Sequence, residues 1–204
     1  MTVFRNFLYL VAAAWLLSAC SLLPKPEPVS INQYLLEYSP DRQAARQTRA
    51  DAPVMLVSVP RAHGGYDSSR IAYMKEDYGL RYYTRSRWAD TPARMLAPLL
   101  ADTIQATGQF QALYATSGSV SADMRLDTEL IRFHQDFRSL PSEMHITLRA
   151  HLIDLASGEV LATLLVDRSM AADTDDAFGG VVAANRLLGQ VLDELAQFCV
   201  SNRP

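Results

Sequence analysis

The chain has 204 residues, of which 49% are hydrophobic and 20% charged, and a formal net charge of −3. This length suits one domain with a sizeable core. The slight acidic excess argues against a nucleic-acid partner, and two cysteines are too few for a disulfide framework.

Arg5 precedes the apolar run Phe7 to Leu17, and Leu17-Ser18-Ala19-Cys20 follows. A short positive region, an apolar region and small residues before a cleavage point form a signal peptide. A helix of that length, at about 1.5 Å per residue, covers roughly half of a 30 Å bilayer core, so the segment reads as removable. The cysteine makes it a lipobox: its thiol takes a lipid, and the amine freed by cleavage takes another chain. Two or three acyl chains anchor stably where one is marginal. Cys20 is therefore the expected lipidation site, with residues 1–19 as the signal peptide. Ser21, in place of Asp, fits export to the outer membrane. Pro24, Pro26 and Pro28 make residues 20–31 an extended tether of roughly 30 Å reach.

Residues 32–204 form the body of the protein. Gln33 to Tyr38 reads as a first strand and Pro40 to Asp51 as a polar loop. Val54 to Pro60 is a continuous apolar run, as in a central strand buried on both faces. His63 to Asp67 is a turn. Arg70 to Lys75 and Leu80 to Trp88 form a hairpin around Glu76-Asp77-Tyr78-Gly79, with Gly79 at a positive φ. That register pairs Tyr73 with Tyr82 and Ile71 with Thr84. Period-two alternation then puts Arg81, Tyr83, Arg85 and Arg87 on one face.

Thr91 and Pro92 start a helix carrying Met95, Leu96, Leu99, Leu100 and Ile104, and Gly108 ends it. Pro98 either kinks this helix or moves its start downstream. Phe110 to Ala115 is a short strand. Ala122 to Phe137 and Ser142 to Leu155 are long strands, and apolar parity changes in the first between Leu130 and Ile131, as a bulge or sheet curvature would produce. Ala156 to Glu159 turns into a strand from Val160 to Met170. The last helix runs from Ala177 to Val200, with Asp175 and Asp176 at its N-terminus. Val181, Ala184, Leu188, Val191, Leu195 and Phe198 form its apolar stripe. Cys199 lies beside that stripe and reads as a small buried hydrophobe. The fold class is α+β: a mostly antiparallel sheet with two helices packed on it.

No catalytic or nucleotide-binding motif is present. His145 and His151 share a strand face but stand roughly 20 Å apart, and His134 and His145 face each other without a third ligand. Asp173, Asp175 and Asp176 lack the spacing of a calcium loop and read as capping residues. Gly179 and Gly180 read as helix-packing residues. No metal or cofactor is expected. The densest signal is the basic and tyrosine-rich stretch from Arg61 to Trp88. Arg70, Tyr73, Arg81, Tyr83, Arg85 and Arg87 are its candidate partner-binding residues.

Several segments together resemble a known family: YLLEY at 34–38, the stretch at 65–100, ADMRLDTEL at 122–130, and the helix at 183–198. With the lipobox, they are similar to the ABC-type transport auxiliary lipoproteins. The resemblance implies a TolB N-terminal-like domain, anchored to the periplasmic face of the outer membrane by Cys20. It implies a non-enzymatic role beside mammalian-cell-entry (MCE) proteins of an ABC lipid transporter, and a possible homo-oligomer. A stand-alone lipid carrier and an assembly partner of another export machine are the alternatives.

Overall fold

A 13-residue strand organises the molecule, and everything else is arranged along its two edges. The structure is a computed structural model that describes residues 30–41, 51–114 and 121–203. The lipobox and nearly all of the tether lie outside the described residues, as does most of the Pro40 to Asp51 loop. In order, the elements are β1 (Asn32–Tyr34), β2 (Val54–Val57), β3 (Arg61–Ala62), β4 (Arg70–Met74) and β5 (Leu80–Trp88). They continue with helix α1 (Pro92–Ala106), β6 (Gln111–Tyr114), β7 (Met124–Asp136), β8 (Glu143–Asp154), β9 (Val160–Ala171) and helix α2 (Ala177–Ser201).

One edge of β7 pairs antiparallel with β8, which in turn pairs antiparallel with β9. Its other edge is shared by three short strands, all parallel to it: β2 at Met124 to Leu126, β3 at Glu129 and Leu130, and β4 at Gln135 and Asp136. The sheet forks there. β5 and then β1 continue from β4, while β6 continues from β2. The long ladders are antiparallel as the sequence implies, and the short joins are parallel.

β7 contains the expected bulge, a register shift between Leu130 and Arg132. Before it, Met124, Leu126 and Leu130 face the core; after it, Phe133 and Gln135 do. The inserted residue lets one strand keep a single buried face while it bends. β2 lies inside the sheet, between β6 and β7. It is not buried on both faces, however: only Met55 and Val57 are fully covered. Both helices pack on one side of the sheet, so the opposite side keeps charged residues such as Arg125, Asp127 and Glu129.

The first strand is shorter than its sequence pattern. Beyond Tyr34 the chain leaves β5 and is captured by α2. Asn185 Oδ1 accepts from the Glu37 amide at 2.7 Å, and Asn185 Nδ2 donates to the Leu35 carbonyl at 3.2 Å. Tyr38 reaches both oxygens of Asp193, at 2.7 and 2.8 Å.

α1 starts at Pro92 and runs through Pro98. Pro98 is exposed, so the Arg94 carbonyl it leaves without a helical partner faces water. In α2 the stripe is buried as patterned, apart from the half-buried Phe198. Cys199 is fully buried, and burial pushes its thiol up to about 12. Burying each large aliphatic side chain of this shared core contributes about 1.5–3 kcal/mol. No helix of the described residues is long and apolar enough to cross a membrane.

Candidate functional site

The β4–β5 hairpin carries the candidate surface, and its geometry departs from the sequence pattern in a way that matters. The turn residue with positive φ is Tyr78, at 64°, not Gly79. The Gly79 amide donates to the Glu76 carbonyl. The loop is thus one residue longer than the pattern implies, and the register slips by one. Met74 pairs with Leu80, Tyr73 with Arg81 and Ala72 with Tyr82. Neither Tyr73 with Tyr82 nor Ile71 with Thr84 is a pair.

A second irregularity follows. The next pair after Ala72 and Tyr82 is Arg70 with Arg87. β5 spends more residues than β4 over this interval, so its faces change. The Tyr83 hydroxyl donates to Gln135 Oε1 at 3.0 Å, whereas the Trp88 ring meets Phe133 at 5.4 Å. Gln135 and Phe133 lie on the same side of β7, so an odd and an even position of β5 both face the helices. Arg81 and Tyr83 therefore do not share one face with Arg85 and Arg87.

The half-buried tyrosines join the hairpin to the body. Tyr73 and Tyr83 stand 4.7 Å apart, and Tyr73 meets Phe137 edge-on at 6.0 Å. Burial, and then the charge of Asp176, raises the Tyr83 hydroxyl well above its ordinary value, so it stays a neutral donor. Gln135 itself is fully buried and donates to Ser142 Oγ at 2.9 Å.

Charge sorts the arginines. Arg81 pairs with Glu76, and Arg138 spans Asp77 and Asp136 at 2.6 Å each. Arg61 and Arg149 share Glu129, whose carboxyl these hydrogen bonds hold below its usual range. Arg125, Arg132, Arg168 and Arg186 also have carboxylates within 3.0 Å. Among the described residues Arg70, Arg85, Arg87 and Arg203 have no carboxylate partner; Arg203 donates to Gln109 Oε1 at 2.7 Å, and the other three lie together on the hairpin. Arg70 stacks its guanidinium 3.7 Å above the Tyr82 ring, and the Tyr82 hydroxyl is fixed by the Gly65 carbonyl at 2.9 Å. Ser69 and Thr84 line the same groove as Arg70 and Tyr82; Tyr82, Ser69 and Thr84 were outside the sequence-predicted set. The slipped register hides Tyr82, and isolated hydroxyl residues give no periodic signal.

The other candidates have local tasks. His134 and His145 pair across the sheet with rings 5.6 Å apart, and the Tyr66 hydroxyl lies 3.1 Å from His134 Nδ1. Burial, followed by the nearby His145, pushes His134 down to about 4. Asp176 caps α2 by accepting from the Gly179 amide at 2.7 Å, Asp175 accepts from the Ser142 amide at 2.7 Å, and Asp173 pairs with Arg186. Among the described residues no cluster of three or more His, Cys, Asp or Glu is arranged to hold a metal.

The domain is thus a one-sided α+β sheet that presents a basic, tyrosine-rich hairpin. The chain belongs to the ABC-type transport auxiliary lipoprotein family, whose model matches residues 34–196. It is an auxiliary lipoprotein of MCE/ABC-type envelope lipid transport, lipid-anchored at the periplasmic face of the outer membrane. Its fold is that of protein XCC0632 from Xanthomonas campestris, with TM-score 0.71 and 21% identity over 85% of this chain and 96% of that one. An uncharacterized protein of known structure is also similar, with TM-score 0.66 and 13% identity over 83% and 98% of the two chains. No curated protein matches the chain in sequence.

Proposed function

We propose that the chain is a tethered adaptor whose hairpin docks an MCE-type protein of an ABC lipid transporter. Residues 1–19 are its signal peptide, Cys20 carries the lipid, and residues 20–31 are the tether. Residues 32–204 form the adaptor domain, in a TolB N-terminal-like arrangement. The observation that carries this reading is the cluster of three hairpin arginines, Arg70, Arg85 and Arg87, without a carboxylate among the described residues. Three exposed or half-exposed guanidinium groups beside tyrosines favour an acidic partner surface. Arg70, Arg85 and Arg87 make the contact. Arg81 is engaged by Glu76, and Tyr73 and Tyr83 hold the hairpin in place. The tether's roughly 30 Å reach lets this face meet a partner arriving through the periplasm.

The test is capture of partners by the lipidated protein from crosslinked envelopes. Wild type recovers an MCE-type protein, and the R70E/R85E/R87E variant recovers little of it while staying folded. Equal capture by the variant removes the hairpin from the interface. A Cys20→Ala variant should leave the membrane fraction, and its retention there would overturn the anchor assignment.

A further inference from the structure

We propose that the groove between β4 and β5 at Arg70 and Arg87 is a binding site for a phosphate group, presented by a lipid headgroup or as free phosphate. Arg70 and Arg87 are direct partners in the antiparallel ladder. Like charges placed opposite one another in a sheet repel. Here no carboxylate among the described residues offsets either charge, although nearly every other arginine of the domain has one. Both side chains line one open groove of about 460 Å³.

The rest of the lining suits an oxyanion. Ser69, Thr84 and Ser86 lie along the groove. Among the described residues their hydroxyls have no hydrogen-bond partner. Tyr82 supplies the platform on which the Arg70 guanidinium rests at 3.7 Å. That stack fixes the plane of the guanidinium and leaves its edge free to donate. Two guanidinium groups and nearby hydroxyls form a set of donors without a built-in acceptor, and phosphate oxygens are the acceptors such a set fits. The Arg87 side chain is half-buried, which strengthens its interaction with an anion over that of a fully hydrated arginine. At the rim stands Ile31, 41% exposed. An apolar residue beside the cations suits a ligand that carries an acyl chain next to its phosphate.

This site shares Arg70 and Arg87 with the docking surface proposed above but does not depend on it. Phosphate binding is measured without any partner protein. Loss of anion binding with partner capture intact, or the reverse, separates the two.

The full chain in non-ionic detergent and phosphate-free buffer is titrated calorimetrically with three probes. They are inorganic phosphate, dihexanoyl-phosphatidylglycerol, and dihexanoylglycerol, which lacks the phosphate. Phosphatidylglycerol binding with weak or no phosphate binding identifies a lipid headgroup as the source; equal affinity for inorganic phosphate identifies the free anion. In either case R70Q/R87Q should bind roughly tenfold to a hundredfold more weakly, the loss expected from removing charge-assisted hydrogen bonds. Dihexanoylglycerol should not bind. The proposal fails if neither phosphate compound binds, if R70Q/R87Q binds them unchanged, or if dihexanoylglycerol binds as well as the phospholipid. Should the double variant not fold, single R87Q carries the same test. In phosphate-free buffer R87Q should also melt no lower than wild type, because it relieves the opposed pair; a clearly lower Tm would show that the pair is not repulsive and overturn the premise.

Discussion

Gly180→Ala tests whether α2 is keyed to the sheet through Gln135. A methyl group placed at Gly180 would stand 2.2 Å from Gln135 Oε1 and 2.7 Å from its Cδ. Gln135 has little room to retreat. It is fully buried, held by Ser142 on one side and by the Tyr83 hydroxyl on the other. Alanine favours the helix by about 0.5–1 kcal/mol over glycine. Against that, overpacking costs about 1–3 kcal/mol. Displacing the amide leaves buried hydrogen-bonding groups unpaired, for about 1–3 kcal/mol more. The net expectation is a loss near 3 kcal/mol, which for a domain of this size lowers Tm by about 6–12 °C. Urea unfolding followed by the fluorescence of the buried Trp88 and by circular dichroism measures it. Gly64→Ala, where an added methyl meets nothing within 4 Å, is the reference and should stay near wild type. A second variant, Q135A/G180A, should lose less than the sum of its two single changes, because removing the amide makes room for the methyl. An unchanged or raised midpoint for Gly180→Ala would refute the reasoning, since Gln135 would then step aside at no cost.

Three further outcomes are expected. His134 is held neutral, with its pKa near 4 against an ordinary 6.5. Its folded value is the lower one, so its contribution to stability is complete above the unfolded value and is lost as pH falls from about 6.5 toward 4. His134→Gln should flatten the stability profile over that window, and an NMR titration of His134 near 6.5 would contradict the assignment. Cys199, fully buried and with its thiol raised to about 12, should resist maleimide at pH 8 in the folded protein and react after denaturation; rapid labelling of the native form would show that the helix opens readily. Gly189→Ala would place a methyl 2.8 Å from the Tyr38 ring, whose hydroxyl is held by Asp193. Tyr38 sits at the surface and can shift, so the cost should be smaller than at Gly180. A larger cost would mean that the Tyr38 ring is locked in place and cannot shift.

Most secondary structure was legible because its causes are local. Pro92 at a helix start, Gly158 at a turn with φ of 76°, and Asp176 at a helix cap each act within a few residues. The irregularity in β7 was legible too, as a change of apolar parity that a bulge or sheet curvature would produce, and the register shift between Leu130 and Arg132 makes it a bulge. The hairpin was not. Its register turns on whether Tyr78 or Gly79 takes the left-handed conformation, and a glycine pattern favours the wrong one. A one-residue slip then changes every cross-strand pair. The candidate surface suffered most from this, because the expected single face of Arg81, Tyr83, Arg85 and Arg87 depended on unbroken alternation.

By itself the sequence determined the fold class, the buried stripes and the family, and it alone carries the lipobox reading of Cys20. Periodicity, caps and short motifs are written in neighbouring residues, so they need no knowledge of the whole. Only the tertiary structure decided which arginines find carboxylates. Glu129 gathers Arg61 and Arg149 from two other strands, and Asp77 receives Arg138 from a separate turn. Those matches are made between distant parts of the chain as three short strands line up on one edge of β7. The three hairpin arginines left without a carboxylate, Arg70, Arg85 and Arg87, could be recognised only once those pairings were known.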